Sequence, residues 1–298
     1  MIARSLGYVA AALLAASGLR FLAAVCGLGG DWALRSSLLG IGSLAGWSLL
    51  FGAGWLVFSR YAWWRRLLVA VAGLAAALFL VVVFPPFWLL SVVDHFSSAR
   101  FQFDTDQKVV ALTIDDAIDP NTTARILDVL NSHSAKATFF VMTDTIADDE
   151  ASRAVIERIA AEHELGNHQT RDRPGWRMSQ GEFAADVQQA EERLAEFASV
   201  PWLRPGGGLF TSSMARTAED EQLQLVLGSV YPWDSHQSST DFSARFVRAR
   251  VRPGSIIVLH DGGARGTRTV EVLNSILPAL AAEGYRVTTL AEVAEVSD

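Results

Sequence analysis

One cysteine, two lysines and a 19% share of charged residues are all that this 298-residue chain carries of those types, and each shortage closes off a class of function. A lone Cys26 builds neither a disulfide framework nor a cysteine-rich zinc module, and it lies in an apolar stretch that offers a thiol no catalytic partner. Both lysines, Lys108 and Lys136, come early in the more polar part of the chain. A phosphotransfer receiver sets its acidic pair against a lysine late in the sheet, and that lysine is missing. Soluble domains carry about a quarter charged residues. A deficit on that scale, beside 50% hydrophobic content, predicts a membrane-embedded portion.

The charges present are unevenly spread. Residues 1–93 hold six arginines and one acid, Asp31, for a net of +5, which leaves 19 basic and 31 acidic residues beyond, net −12. A segment that acidic has no clustered cations for phosphates, so nucleic acid is excluded as a partner. Nothing charged falls between Arg35 and Arg60 or between Arg66 and Asp94, and each gap exceeds the ~20 residues that cross ~30 Å of hydrocarbon. With a weaker run at 5–29, interrupted by Arg20, the expectation is an all-α transmembrane region of about three helices, 5–29, 36–59 and 67–93. They form an anchor of residues 1–95, followed by a linker 96–107 and a catalytic domain 108–298. A cleaved signal peptide is the competing reading of the first run.

Arg60, Arg65 and Arg66 hold the loop between the second and third spans in the cytoplasm. The N-terminus is then inside and everything after Asp94 outside: a multi-pass protein of the cell membrane, with the bilayer as a partner and an extracytoplasmic domain. Pro85 and Pro86 fall near the outer end of the third span, where a break is tolerated. Gly42 and Gly46 form a small-xxx-small pair that suits oligomerisation or packing within the three-helix unit. No acid lies inside a span, which argues against an ion-coupled transporter.

From residue 101 onward, apolar strands alternate with helical spacing. Strands are expected at 109–114 (VVALTI), 137–142 (ATFFVM), 202–204, 225–228, 256–260 (IIVLH) and 285–290. Helices are expected at 122–131 with Asn121 as N-cap, and at 151–162, 180–198 and 269–283. Continuous apolar strands between helices mean a parallel sheet wrapped by helices, with chemistry just past the strand C-termini. There the chain places Asp115 and Asp116, His168, Arg204, and His260 with Asp261. Adjacent carboxylates reach one cleft if the chain turns sharply between them. His168 and Asp172 are four apart, which aligns two ligands on a helical turn. His95, His133 and His163 read as surface residues.

The segments VVALTIDDA, ELGNHQTRD, WLRPGG, YPWDS and IIVLHDG occur in the order and spacing of the polysaccharide deacetylases, and the resemblance covers residues 109–293. It implies an α/β distorted (β/α) barrel. It also implies one divalent metal ion, zinc first with cobalt, nickel or manganese as alternatives, and an N-acetylated glycan as substrate. By the family's pattern Asp115 is the general base and Arg204 orients it, His260 is the general acid, and Asp116, His168 and Asp172 are the metal ligands. Gly207, Asp234 and Leu259 match positions that touch substrate or stabilise the oxyanion.

The departures are specific. Asp172 stands where most members have a second histidine, which resembles a less common branch. Ala117 replaces a glycine, and Gly206–Gly207 replace Pro-Tyr. In the fourth motif Asp234 matches the first acid, while the second, which would tune His260, falls at Gln237. The chain is thus expected to be a membrane-anchored hydrolase removing N-acetyl groups from a peptidoglycan- or chitin-like glycan. The alternative is a catalytically inactive glycan-binding member of the same fold.

Overall fold

The computed structural model describes residues 63–83 and 85–297, and the expected spans 5–29 and 36–59, with Gly42 and Gly46, lie outside them. Two compact units divide at Leu89/Leu90. In the first, α1 runs Trp63–Val83, and α2, Phe87–Phe96, follows the proline pair into the second unit. The single helix expected over 67–93 is therefore two. Neither Pro85 nor Pro86 has an N–H to donate, and each ring clashes with the preceding turn. Among the described residues no helix is long and apolar enough to cross a membrane.

The second unit alternates β and α. Its elements are β1 Ala99–Arg100, β2 Val109–Ala117, α3 Pro120–Ser132, β3 Thr138–Val141, α4 Glu150–Glu162, β4 Glu164–Asn167, α5 Gln180–Leu194 and β5 Trp202–Leu203. Then come α6 Ser212–Asp220, β6 Gln224–Val226, α7 Thr240–Arg250, β7 Ile256–His260, α8 Gly263–Ala282, β8 Arg286–Thr288 and α9 Leu290–Ala294. The strands form one sheet in the order β1-β6-β5-β4-β3-β2-β7, with β8 also on β2. Every pairing is parallel. Val230, just past β6, bridges to Ile257, and Gln102, just past β1, bridges to Ser255. The sheet thus curls back on β7 as a distorted barrel.

All nine residues of β2 are buried, as a parallel sheet covered on both faces requires. Ala111, Phe140, Trp202, Val226 and Ile256 from five strands pack in one cluster with Leu290. Strand β2 runs three residues past its expected end because Asp115 still pairs with His260 and Ala117 with Val141. The cap of α3 is Asp119, not Asn121. Its Oδ1 accepts from the N–H groups of Asn121 (3.0 Å) and Thr122 (3.4 Å), while Pro120 fills the first helical position. Helices α6, α7 and α9 carried no periodic signal long enough to be expected.

His163 is not a surface residue. It ends α4 half-buried, its Nδ1 accepts from the Ala137 N–H (3.3 Å), and its ring lies edge-on to Phe139 at 5.6 Å. Burial lowers its pKa to about 4. His95 and His133 are exposed, as expected.

Candidate active site

Because the sheet is parallel, the strand C-termini share one edge. Register puts Asp115 of β2 directly beside His260 of β7. Past Ile114 the β2–β3 register shifts, and Asp116 takes a left-handed φ of 60°. That is a costly conformation for a residue with a Cβ, and the shift lets both neighbouring carboxylates reach the cleft instead of opposite faces of the sheet.

Asp115 is held by Arg204, whose Nη1 donates to Asp115 Oδ1 at 2.6 Å and to Thr113 Oγ1 at 2.7 Å. The other guanidinium donors reach the carbonyls of Val226 (3.3 Å) and Leu227 (2.9 Å). The guanidinium also lies 4.1 Å from the centre of the Phe140 ring. Burial lowers the Arg204 pKa while Asp115 opposes that shift. With all three nitrogens engaged, the guanidinium has one orientation, and it fixes the carboxylate it serves.

His168 follows β4 and is buried. Its Nδ1–H donates to the Arg204 carbonyl at 2.6 Å, which turns Nε2 toward Asp116 Oδ1 at 3.5 Å. Burial would lower the His168 pKa, but Asp115 and Asp116 together raise it. For Asp116 burial also opposes ionisation, yet His168, His260 and Arg265 bring its pKa down to about 2. The second Asp116 oxygen, Oδ2, meets Arg265 Nη1 at 2.7 Å.

On the opposite side, His260 Nδ1 faces Asp234 Oδ1 at 3.0 Å, and the His260 backbone N–H donates to Asp234 Oδ2 at 2.9 Å. Burial lowers the imidazole pKa, but Asp234, Asp115 and Asp116 outweigh it and raise it. Asp234 therefore takes the tuning role that motif spacing gave to position 237. Gln237 instead donates to the Pro232 carbonyl and Ser243 Oγ. Tyr231 packs edge-on to His260 at 5.6 Å, and burial pushes its hydroxyl up to about 12. Asp261, buried, accepts from Thr122, Thr123 and the Gly262 N–H, so it ties β7 to α3.

Three expected site residues are held differently. Asp172 is exposed in the loop after His168 and makes no hydrogen bond or ion pair among the described residues. The expected helical turn does not form there, because Gln169 adopts φ 67° and its side chain is tied to Asp186 and the Gly206 N–H. Leu259 is fully buried in β7 opposite Ile114. Gly207 is exposed with φ 81°. A Cβ there would sit 3.1 Å from Pro174 and 3.2 Å from Trp176 Nε1.

The donor set at Asp116 fits part of a metal site. With His168 Nδ1–H committed to a carbonyl, the Nε2 lone pair of a neutral ring and the Asp116 carboxylate face each other at 3.5 Å. Two acceptors so placed call for a shared cation, a proton or a metal. Donors each ~2.1 Å from one tetrahedral ion are separated by about that distance. No group of three His, Cys, Asp or Glu residues gathers around an ion position among the described residues.

Sequence reasoning missed Arg265, Thr113 and the role of Asp234. Thr113 was legible, since two positions before Asp115 on a strand means the same face. Arg265 had no such signal.

The profile of the polysaccharide deacetylase family matches residues 102–226. The chain is similar to a peptidoglycan-N-acetylglucosamine deacetylase of Bacillus cereus, 30% identical over 202 residues that cover 65% of this chain and 91% of that protein. It is similar also to a chitooligosaccharide deacetylase of Sinorhizobium fredii, 33% identical over 196 residues, 61% and 89% of the two chains. Among solved structures, a peptidoglycan N-acetylglucosamine deacetylase superposes with TM-score 0.63 at 29% identity, over 69% of this chain and 96% of that one. A family 4 acetyl xylan esterase of Clostridium thermocellum, in complex with a cobalt ion, gives TM-score 0.57 at 30% identity, over 62% and 90%.

Proposed function

The chain belongs to the polysaccharide deacetylase family, and from that premise we propose that it hydrolyses N-acetyl groups on a glycan of the peptidoglycan or chitin type. The observation that carries this reading is the β2–β7 register, which sets an arginine-bound carboxylate beside a carboxylate-bound imidazole. Amide hydrolysis needs a base for the attacking water and an acid for the departing nitrogen. Asp115, accepting from Arg204 through Oδ1, takes the water proton. His260, kept protonated by Asp234, gives a proton from Nε2 to the amine. Gly207, whose N–H has no partner among the described residues, donates to the developing oxyanion. The two glycan deacetylases supply the substrate class.

Asp116 and His168 would hold a divalent ion, and Asp172, unpartnered in its loop, would complete the set. The cobalt-bound acetyl xylan esterase supports that assignment. A bound ion would polarise the amide carbonyl and lower the pKa of water; zinc is the first expectation.

For location we propose a membrane anchor with residues after Asp94 outside the cytoplasm. The uncharged stretches 36–59 and 67–93 support it, as do the exposed apolar side chains Leu67, Leu68, Val71, Leu74 and Leu78 of α1. Reporter fusions after Arg66 and after Ser98 should report opposite sides.

The central experiment is acetate release by the purified full chain from N-acetylglucosamine polymers, with and without chelator. Chelator-insensitive release would sink the metal assignment. Glycan binding with no release would favour the non-catalytic reading, which the exposed position of Asp172 also suits.

A further inference from the structure

We infer that Arg265 is a built-in counter-cation for Asp116 that weakens the hold of the Asp116–His168 corner on a divalent ion, and so sets the metal affinity of this chain. The inference rests on the metal-dependent reading above. The two oxygens of Asp116 are divided between partners, with His168 at Oδ1 (3.5 Å) and Arg265 at Oδ2 (2.7 Å). The Asp116 side chain is 8% exposed and that of Arg265 33%, so the pair sits partly out of water where charge interactions are strengthened.

The other carboxylates of the site are already matched. Asp115 has Arg204 at 2.6 Å and Asp234 has His260 at 3.0 Å. Asp116 is the carboxylate left for a metal, and a guanidinium stands on it. Unlike an imidazole, a guanidinium cannot lose its charge to make way. A divalent ion arriving at Oδ1 meets a like charge across the same carboxylate, or it must turn Arg265 out toward solvent. Both routes cost affinity.

The backbone that carries Arg265 is fixed. Its N–H donates to the Gly262 carbonyl (3.1 Å) in the first turn of α8. One residue on, Gly266 lies so close to Asp261 and Thr122 that a Cβ would fall 2.2 Å from the Asp261 carboxylate and 2.5 Å from Thr122 Oγ1. The turn is thereby pressed against α3, and only the Arg265 side chain has freedom to withdraw.

The test is zinc titration of the metal-stripped full chain by calorimetry with a competing chelator, on the native protein and on Arg265→Gln, Arg265→Lys and Asp116→Asn. Arg265→Gln should bind zinc on the order of tenfold tighter, the ratio that one charge-assisted hydrogen bond is worth. Arg265→Lys, which keeps the charge, should stay within about threefold of native. Thermal melts give a second readout: without metal Arg265→Gln should melt below the native protein, and added zinc should raise its Tm by more. Equal or weaker zinc binding by Arg265→Gln, with binding still abolished in Asp116→Asn, overturns the inference and leaves the metal reading standing. Native-like binding by Asp116→Asn, or no binding by any of the four proteins, overturns both.

Discussion

The residues borne on strand ends and those borne on the loop after β4 differ in how they are held. Asp115, His260 and Arg204 take their places from sheet register and from buried side-chain hydrogen bonds, and each is nearly or fully buried. Asp172, only four residues past His168, has no hydrogen-bond or ion-pair partner among the described residues and is exposed, as is Gly207 on the neighbouring loop. A parallel sheet spends its own backbone hydrogen bonds on positioning, so a side chain at its edge inherits that order. A loop residue must be ordered by what it binds. On this reading the acid–base pair is preorganised, and the metal corner is closed only by its third ligand.

The sharpest way to break that contrast is Arg204→Ala. Removing one partner of a buried ion pair costs about 3–5 kcal/mol, and Asp115 would also lose the group that orients it. Urea denaturation should show that loss, with acetate release falling in parallel. Arg171→Ala removes only an exposed 3.1 Å pair with Asp144 and should stay within about 0.5 kcal/mol of native. Equal effects of the two substitutions would erase the distinction between the regions.

Asp115→Asn separates chemistry from structure. The amide oxygen still accepts from Arg204, so the fold should persist while kcat falls by about 10²–10⁴. Unchanged kcat in single-turnover assays would remove Asp115 as the base.

A third prediction uses His163, which lies in the scaffold and outside the site. Its folded pKa, about 4, is depressed by burial below an unfolded value near 6.5. The unfolded chain therefore binds the proton more readily, and stability present above pH ~6.5 is lost as pH falls toward ~4, on the order of 2 kcal/mol. Urea midpoints of native protein and His163→Gln, compared at pH 7 and pH 5, should differ in slope. The native protein should lose more stability on acidification.

The smallest effect on stability belongs to Asp172→Ala, expected within about 0.5 kcal/mol of native because the side chain is exposed. Its metal content should nonetheless drop, since two ligands hold a divalent ion poorly, whereas Asp172→His should retain metal. Full occupancy in folded Asp172→Ala, by elemental analysis, would remove Asp172 from the ligand set.

Most strands were legible because a buried parallel strand is a short unbroken apolar run, and VVALTI, TFFV and IIVLH are such runs with few alternatives. Their ends were less so. Asp115 and Asp116 read as a loop because carboxylates end apolar runs, yet both stay in β2, since pairing with His260 and a register shift toward β3 continue past them. Asn121 read as a cap because spacing cannot see that Asp119 reaches two N–H groups across Pro120.

By itself the sequence determined six of the eight strands, the acidic pair, the two cleft histidines and Arg204, because each is a local pattern in or at the end of a local element. Only the tertiary structure decided that Asp234 serves His260, that Leu259 is core, and that Arg265 stands on Asp116. Those three facts join residues 26 and 149 positions apart, or depend on which face of a strand is enclosed. Spacing along a chain does not encode distance across a barrel.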